Sequence, residues 1–506
     1  MVQLNTSSYW VDTTPTQAFP PLDRDLRVDV AIVGGGITGI TAAYLLKAAG
    51  INVALLERAT CASGDSGYTT AHLTMVTDVL LTDLVKSFGR DTATAVWDAG
   101  QIAIDRIEAH IRAEVIECDF RRVPGFLHEA VAGDGLPPTE LEKEAQQAKE
   151  LGFAASLVRQ VAPLGVTGVR FEGQALFHPR KYLNGLLRAI PGDGSYVFEH
   201  TAVDEVVESP LTLTARGHKI ACDRVVLGTH TPRMGSSGMM AATLLQSKLA
   251  LYNSYAIAGR VPAGHIPPGL YWDTADPYHY LRIDSQPGGD IAIFGGADHK
   301  TGQVTDTSSC YASIERTLRR LAPTFELTHR WSGQVVESVD GLPFIGETSP
   351  GQFVATGFGG NGMTFGTIAG MMARDAVLGR SNPWREIFDP GRTSVRAGAW
   401  DYLRENKDYV YYMIRDRIAS RHATTLRGLR PGEGRVVEIA GQPVAASRDS
   451  QGVVSLLSAI CTHMGCEVHW NQAEATWDCP CHGSRFKADG SVISGPTDTP
   501  LPEAGD

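Results

Sequence analysis

Cysteine and histidine crowd into one short stretch near the end of this chain. Cys461-Thr-His463-Met-Gly-Cys466 is followed, after Glu467 to Asp478, by Cys479-Pro-Cys481-His482-Gly-Ser484. Each loop thus offers a Cys and a His. Zinc fingers set two to four residues between paired ligands, and the single residue between Cys461 and His463 fits that poorly. A two-iron centre that takes one Cys and one His from each of two loops, thiolates on one iron and imidazoles on the other, fits the spacing. Its ligands would be Cys461, Cys479, His463 and His482. A structural zinc site or a chance grouping is the competing reading. Cys61, Cys118, Cys222 and Cys310 are scattered, as buried small hydrophobes usually are.

A second signature lies near the start. Val28-Asp-Val-Ala-Ile-Val33 is a short apolar strand, and Gly34-Gly-Gly36-Ile-Thr-Gly39 follows at once, opening a helix that runs to about Ala49. In such a unit Gly34 permits the tight turn, Gly36 lets backbone N–H groups approach a pyrophosphate, and Gly39 lets helix and strand pack closely. A further strand, Val53-Ala-Leu-Leu-Glu57, ends in an acid placed to bind ribose hydroxyls. Alone the glycine spacing is a weak signal; with both strands and Glu57 it points to a dinucleotide. After Arg58 comes a polar, glycine-rich loop, Cys61-Ala-Ser-Gly64-Asp-Ser-Gly67-Tyr-Thr69-Thr70-Ala-His72.

The C-terminal strings CTHMGC and CPCHGSRF resemble the Rieske domains of the high-potential, respiratory-complex type. That likeness implies a [2Fe-2S] cluster on the four ligands named, a disulfide between Cys466 and Cys481 tying the loops together, and a hydrogen bond from Ser484 to a cluster sulfur. Phe486 stands where such domains carry a tyrosine, which implies one hydrogen bond fewer and a lowered potential. The likeness also implies one more strand after Gly495-Pro496, where this sequence reads only to Asp506, so the domain is expected to close imperfectly.

The N-terminal strings, together with Asp340-Gly-Leu-Pro-Phe-Ile-Gly346 and Ala355-Thr-Gly357-Phe-Gly359-Gly360-Asn361-Gly362-Met363-Thr364, resemble the D-amino-acid-oxidase and glycine-oxidase superfamily. The resemblance covers about residues 8 to 380, and SGDSGYTTAHLT, VLGTHTPR and FGGADHKTGQ resemble a subgroup with a Rieske tail. It implies FAD rather than NAD. The FAD would be held by Gly34, Gly36, Gly39, Glu57, Arg58, Gly64, Gly67, Thr69, Thr70 and His72. The late loop, Gly357, Gly359, Gly360, Asn361, Gly362, Met363 and Thr364, would place a helix N-terminus and backbone amides by the flavin pyrimidine ring. Aligning the loops puts Ala71, not His72, where relatives with a covalent histidyl-flavin bond carry the histidine.

The resemblance implies that sarcosine-oxidase-like members commonly hold a carboxylate with an arginine in the early loop and a lysine in the late one, and the alignment puts Thr70 and Thr364 at those positions. An amino-acid substrate is therefore in doubt, or its carboxylate is held elsewhere. Tyr271-Trp-Asp273-Thr-Ala-Asp-Pro-Tyr278-His279-Tyr280-Leu-Arg282 is aromatic with ionisable tips. Strand alternation sets Tyr278, Tyr280 and Arg282 on one face, as candidate pocket residues, and His279 on the other. Asp298-His299-Lys300 is a further polar cluster, with His299 a candidate base or cation. A core tyrosine with a satisfied hydroxyl, or a solvated turn, is the plainer alternative for each. Lys248 reads as an exposed lysine.

These groups need elements to hold them. The fold expected is an α/β FAD-binding domain, Rossmann-like and of the glutathione-reductase type, interleaved with an α+β substrate domain and followed by an all-β Rieske domain. FAD-binding parts are expected at about residues 26–80, 170–235 and 325–381, and substrate-domain parts at about 81–169 and 236–324. A linker and a helix with an aromatic face, Trp400 to Ile418, fill 382–424, and the Rieske domain fills 425–506. Helices are expected around Leu80 to Arg112 and Thr139 to Gly152, and strands through Gln246 to Gly296.

At 506 residues and 43% hydrophobic content, the chain can bury two or three cores. Its net charge of −11 lacks a basic stripe, which argues against nucleic acid, and no stretch has the apolar length of a membrane span. No leader is evident, so a cytoplasmic location is expected by default. A flavin takes two electrons as a hydride equivalent and a Rieske cluster takes one at a time. The expected function is a dehydrogenase of a small amine, amino acid or hydroxy acid, passing electrons singly through the cluster to an external carrier such as a ferredoxin. Reverse flow, from a ferredoxin-type donor through the cluster to a flavin that reduces substrate or activates oxygen, is the alternative. A non-catalytic electron-transfer protein ranks last, because the FAD motif is undamaged.

Overall fold

The computed structural model describes residues 4–131, 134–231, 245–304, 306–392 and 426–505. Continuous apolar runs such as Val30–Val33 and Val53–Leu56 have no polar face to offer water, so they form the inner strands of a sheet covered on both sides. That sheet has six strands, in the order Phe344–Ser349, Gln352–Thr356, Arg224–Leu227, Val30–Val33, Val53–Leu56 and Tyr196–Phe198. All pairs are parallel except the first, an antiparallel edge. The helix Ile37–Ala48 leaves the central strand through the glycine turn and packs on the helix Gly362–Val377. Gly34 takes φ +107°, open to glycine, and a Cβ on Gly39 would stand 2.0 Å from the Gly34 carbonyl oxygen.

A second, nine-stranded sheet carries most of the remaining chain. Its path runs Glu326–Ser338, Leu249–Val261, Asp290–Lys300, Tyr280–Asp284, Gly269–Asp273, Arg121–His128, Val166–Leu176 and His72–Leu73, with Ala155–Val161 added on Val166–Leu176. Three strands wholly or mostly within spans expected of the nucleotide-binding part, His72–Leu73, Val166–Leu176 and Glu326–Ser338, pair in this large sheet. Val166–Leu176 forms a hairpin with Ala155–Val161 and also pairs with Arg121–His128, while Glu326–Ser338 pairs with the distant Leu249–Val261, and local pattern does not say which sheet such strands join. The helices Leu81–Phe88, Arg90–Ala113 and Pro138–Glu150 match the helical periods.

The chain after Asn382 is expected to be linker, yet its described part, to Arg392, is pinned to the first sheet. Phe388 is buried and its carbonyl accepts from Ile345 N (2.7 Å), while Arg392 bonds Asp340 through Nε (2.8 Å) and Nη2 (2.7 Å). The helix expected at Trp400 to Ile418 lies outside the described residues.

The C-terminal region is all β, with a three-stranded sheet (Gly434–Ile439, Gln442–Arg448, Val454–Ser458) and a four-stranded one (His469–Asn471, Thr476–Asp478, Arg485–Lys487, Val492–Ser494). The expectation of imperfect closure is corrected at its edge. The tail runs antiparallel to Val454–Ser458, Ser458 N donating to Pro502 O (2.9 Å) and Ala504 N to Leu456 O (3.1 Å), so the edge amides are paired. Among the described residues no helix is long and apolar enough to cross a membrane.

Candidate functional site

A cavity of about 1180 Å³ extends from the glycine turn, across the face of the large sheet, to the C-terminal domain. Gly34, Gly36, Glu57, Arg58, Gly64, Thr69, Thr70 and His72 line it, as do Gly359, Gly360, Asn361, Gly362 and Met363. Glu57 turns both oxygens to backbone donors, accepting from Gly35 N (2.7 Å) and Ala59 N (2.8 Å), which fixes its carboxylate at the mouth of the turn. Ser66 caps the glycine helix by accepting from Ile37 N (3.0 Å), a contact the motif alone does not announce.

Four expected cofactor residues do not reach this space. Gly39 serves helix packing; a Cβ on Gly67 would lie 2.5 Å from Ala62 O, and one on Gly357 would meet Leu249, Ser338 and Phe344. Thr364 is buried one turn into its helix, its hydroxyl donating to Asn361 O (3.0 Å). The late loop also holds a surprise. Gly360 N, expected to face a flavin, donates to Asp78 Oδ2 (2.6 Å), and enclosure by protein pushes that carboxyl upward against the pull of the amide.

At the sheet end of the cavity stand Tyr278, Tyr280, Ser254, Asp298, Trp272 and His72. Tyr280 OH lies 2.5 Å from Ser254 Oγ, which donates to Asp298 Oδ1 (2.6 Å). Burial pushes the Asp298 carboxyl up to about 7. His72 rests edge-on to Tyr280 and 3.2 Å from Thr70 Oγ1; burial, then the Arg282 charge, holds it neutral, its pKa lowered to about 3.

Arg282 is corrected from pocket residue to scaffold. It is wholly buried, donates to Ala71 O (2.9 Å) and Phe177 O (2.7 Å), pairs with Asp284 (3.1 Å) and stacks under Trp10. His299 is likewise turned away, stacked on Tyr255 with Nδ1 against Ala297 O (3.2 Å). His279 faces away from the cavity as expected, held by Asp273 at 3.0 Å. Lys248 is not free: its Nζ donates to Pro390 O (3.3 Å) and Arg392 O (3.4 Å).

The four cluster-ligand candidates converge. Cys461 and Cys479 lie close enough to act on one another, the pKa of Cys461 held down and that of Cys479 pushed up, and the His463 and His482 rings lie 4.9 Å apart, centre to centre. Cys466 and Cys481 form a disulfide beside them. The sulfurs of Cys466, Cys479 and Cys481 lie within 4.8 Å of one another, but the two in the disulfide offer no thiolate to a metal.

These loops sit against the large sheet. Gln334, whose strand lines the cavity, donates from Nε2 to Gly483 O (2.7 Å), next to His482. Asn253 donates to Asp478 Oδ2 (3.2 Å), itself paired with Arg485 (3.1 Å), and His463 Nε2 lies 3.3 Å from Gln246 Oε1. Nearer the nucleotide turn, Arg58 bonds Ile493 O and Thr231 Oγ1 donates to Gly495 O (2.9 Å), so the C-terminal domain forms one wall of the cavity.

The model of the FAD dependent oxidoreductase family, DAO, matches residues 29–376, and that of the Rieske [2Fe-2S] domain matches residues 422–504. The chain belongs to the DAO family of FAD-dependent oxidoreductases. A Rieske domain follows, and the cofactors of this flavoprotein are FAD and a [2Fe-2S] cluster. The putative Rieske 2Fe-2S iron-sulfur protein YhfW of Bacillus subtilis (strain 168) is 33% identical over 98% of this chain and 96% of its own length. The gamma-glutamylputrescine oxidoreductase of Escherichia coli (strain K12) is 25% identical over 82% of the chain and 99% of its own. Glycine oxidase from Geobacillus kaustophilus has the same fold as the DAO domain, with a TM-score of 0.59 at 18% identity, across 73% of this chain and 99% of that one.

Both cofactors fit the residues present. Among the described residues His463 Nδ1 and the fully buried Ser484 Oγ have no hydrogen-bond partner, as an iron ligand and a donor to a cluster sulfur would be left without the cluster. Burial keeps both histidines neutral, His482 at about 4, which is the form that binds metal. For FAD, the turn at Gly34 and the N-terminus of the helix from Ile37 offer backbone donors to a pyrophosphate, and the cavity continues to the late loop.

Proposed function

We propose that this flavoprotein oxidises a small molecule at the Tyr280 end of its cavity and passes the electrons singly through its own Rieske cluster to an external one-electron carrier. FAD supplies a two-electron acceptor and the cluster a one-electron relay. In this reading Gly34, Gly36 and Ser66 organise the phosphate turn, Glu57 and Arg58 flank the ribose, and residues 359–363 border the flavin ring. Cys461, Cys479, His463 and His482 hold the cluster. Tyr278, Tyr280 and His72 orient the substrate and exclude water from it. Asp298, hydrogen-bonded to Ser254, holds or releases a proton.

The observation that carries the proposal is the shared wall: Gln334 borders the cavity and hydrogen-bonds the cluster loop at Gly483. A domain docked there for another purpose has no reason to set its ligand loop against the flavin cavity. The test is anaerobic titration with panels of amines and hydroxy acids. Flavin bleaching followed by the paramagnetic resonance signal of the reduced cluster is expected. Rapid cluster reduction by ferredoxin, with no bleaching by any candidate, would overturn the direction of flow. His482→Ala should abolish the cluster signal and spare FAD absorbance.

A further inference from the structure

We propose that the substrate is a small amine without a carboxylate arm, bound as its ammonium ion between Tyr278, Tyr280, Asp78 and Asp298, and that Asp298 takes its proton. This rests on the oxidoreductase reading above.

The charges around the cavity are unevenly placed. Its cationic side chains are Arg58, Arg485 and Lys487 among the described residues. Arg58 is tied to Ile493 O and Arg485 to Asp478, both at the wall made by the Rieske domain. Among the described residues the substrate end carries Asp78 and Asp298 and no lysine or arginine. Arg282, which could have supplied one, is bonded to the carbonyls of Ala71 and Phe177 and to Asp284 beneath the loop. Thr70 carries no charge, and Thr364 does not reach the cavity. His72 is neutral. A carboxylate entering here meets two acids and no cation, whereas an ammonium meets two carboxylates and the rings of Tyr278, Tyr280 and Trp272.

Unsatisfied polar groups converge on the same space. His72 Nε2 is buried and makes no hydrogen bond of good geometry among the described residues, with the Leu281 backbone its polar neighbour. Asp298 engages Ser254 through Oδ1, and its Oδ2 takes no hydrogen bond among the described residues. Tyr278 OH would lie 2.9 Å from a Cβ on Gly360, against the late loop. His72 and Asp298, from distant parts of the chain, thus each bring to this end of the cavity a polar atom with no hydrogen-bond partner among the described residues, which a packed core does not do.

The chemistry balances. The ammonium cedes a proton to Asp298 Oδ2, while Ser254 and Tyr280, hydrogen-bonded in series, steady the carboxylate. FAD, when bound, would supply the two-electron acceptor for the hydride of the carbon–hydrogen bond beside nitrogen, the nitrogen lone pair forming the carbon–nitrogen double bond as that bond breaks. Water adds to that iminium and the carbon–nitrogen bond cleaves. Amine, FAD and water become a carbonyl compound, ammonia or a smaller amine, and reduced FAD.

The holoenzyme tests this through binding alone. Benzyltrimethylammonium, which cannot lose a proton from nitrogen, and benzoate are each titrated against the visible flavin spectrum. The cation is expected to perturb the spectrum saturably and benzoate not to. Asp298→Asn should weaken the cation by about tenfold or more with FAD content and the cluster signal unchanged. Saturable benzoate binding without cation binding overturns the proposal, as does full cation affinity in Asp298→Asn. The cation-against-benzoate comparison stands without the variant should that variant fold poorly. Amines that bind without bleaching the flavin would sink the oxidation reading and leave the ammonium site standing. A carboxylate substrate that bleaches it would do the reverse.

Discussion

Asp298 and Phe486 show how single side chains set the working range of the two cofactors. Burial disfavours the charged form of Asp298 and Asp78 adds repulsion, while Ser254 and, more weakly, His279 oppose them; the resulting carboxyl, up to about 7 from 3.8, is half protonated near neutrality. Flavin reduction by an amine should therefore rise with pH through about 7, a step that stopped-flow bleaching would show and that Asp298→Asn should abolish. The linkage to stability has the opposite sense. Between the unfolded value of 3.8 and the folded value of about 7 the unfolded chain has released a proton the native one keeps, so this residue lowers stability as pH rises through that window. Asp298→Asn should accordingly raise the melting temperature at about pH 8 and change it little near pH 4. Phe486 is fully buried in the small core of the Rieske domain. Phe486→Tyr adds a hydroxyl where related domains place a donor to the cluster, and a redox titration should find a higher potential.

Elements decide which of the legible residues meet. The glycine turn and its two strands could be read directly because each depends on residues close in sequence, and Gly39 is the clearest case. Gly39→Ala places a methyl against the Gly34 carbonyl and should cost about 1–3 kcal/mol of stability with loss of bound FAD, measured by thermal melt and flavin content. Alternation along Tyr278 to Arg282 indicated a face but not what covers it; the loop at Thr70 and Ala71 roofs Arg282 and leaves Tyr280 open. Asp298 and His299 were legible as a pair, not in phase. Gly296 and Ala297 take φ +146° and +57°, and the ladder slips opposite Asn253 and Tyr255, a bulge that aims Asp298 inward and His299 outward. Likewise, no local pattern distinguishes a strand of the large sheet at 166–176 from one of the nucleotide sheet.

At the scale of the molecule, two domains legible from separate motifs meet at a surface neither motif describes. Asn253, Gln303 and Gln334 reach across to the Rieske loops, and Gly302 fits against Pro480 with no space for a side chain. Gln334→Leu leaves Gly483 O without its donor, a loss of about 1–3 kcal/mol. It should slow cluster reduction in a stopped-flow trace while the preceding bleaching keeps its rate. Arg58 and Thr231 are clasped by the strand Val492–Ser494 and by Gly495 directly beside the nucleotide turn. That clasp bears on how the protein is put together. If the clasp covers the cofactor's way in, FAD is expected to bind more slowly to the assembled protein than to a variant in which Arg58→Ala loosens the clasp.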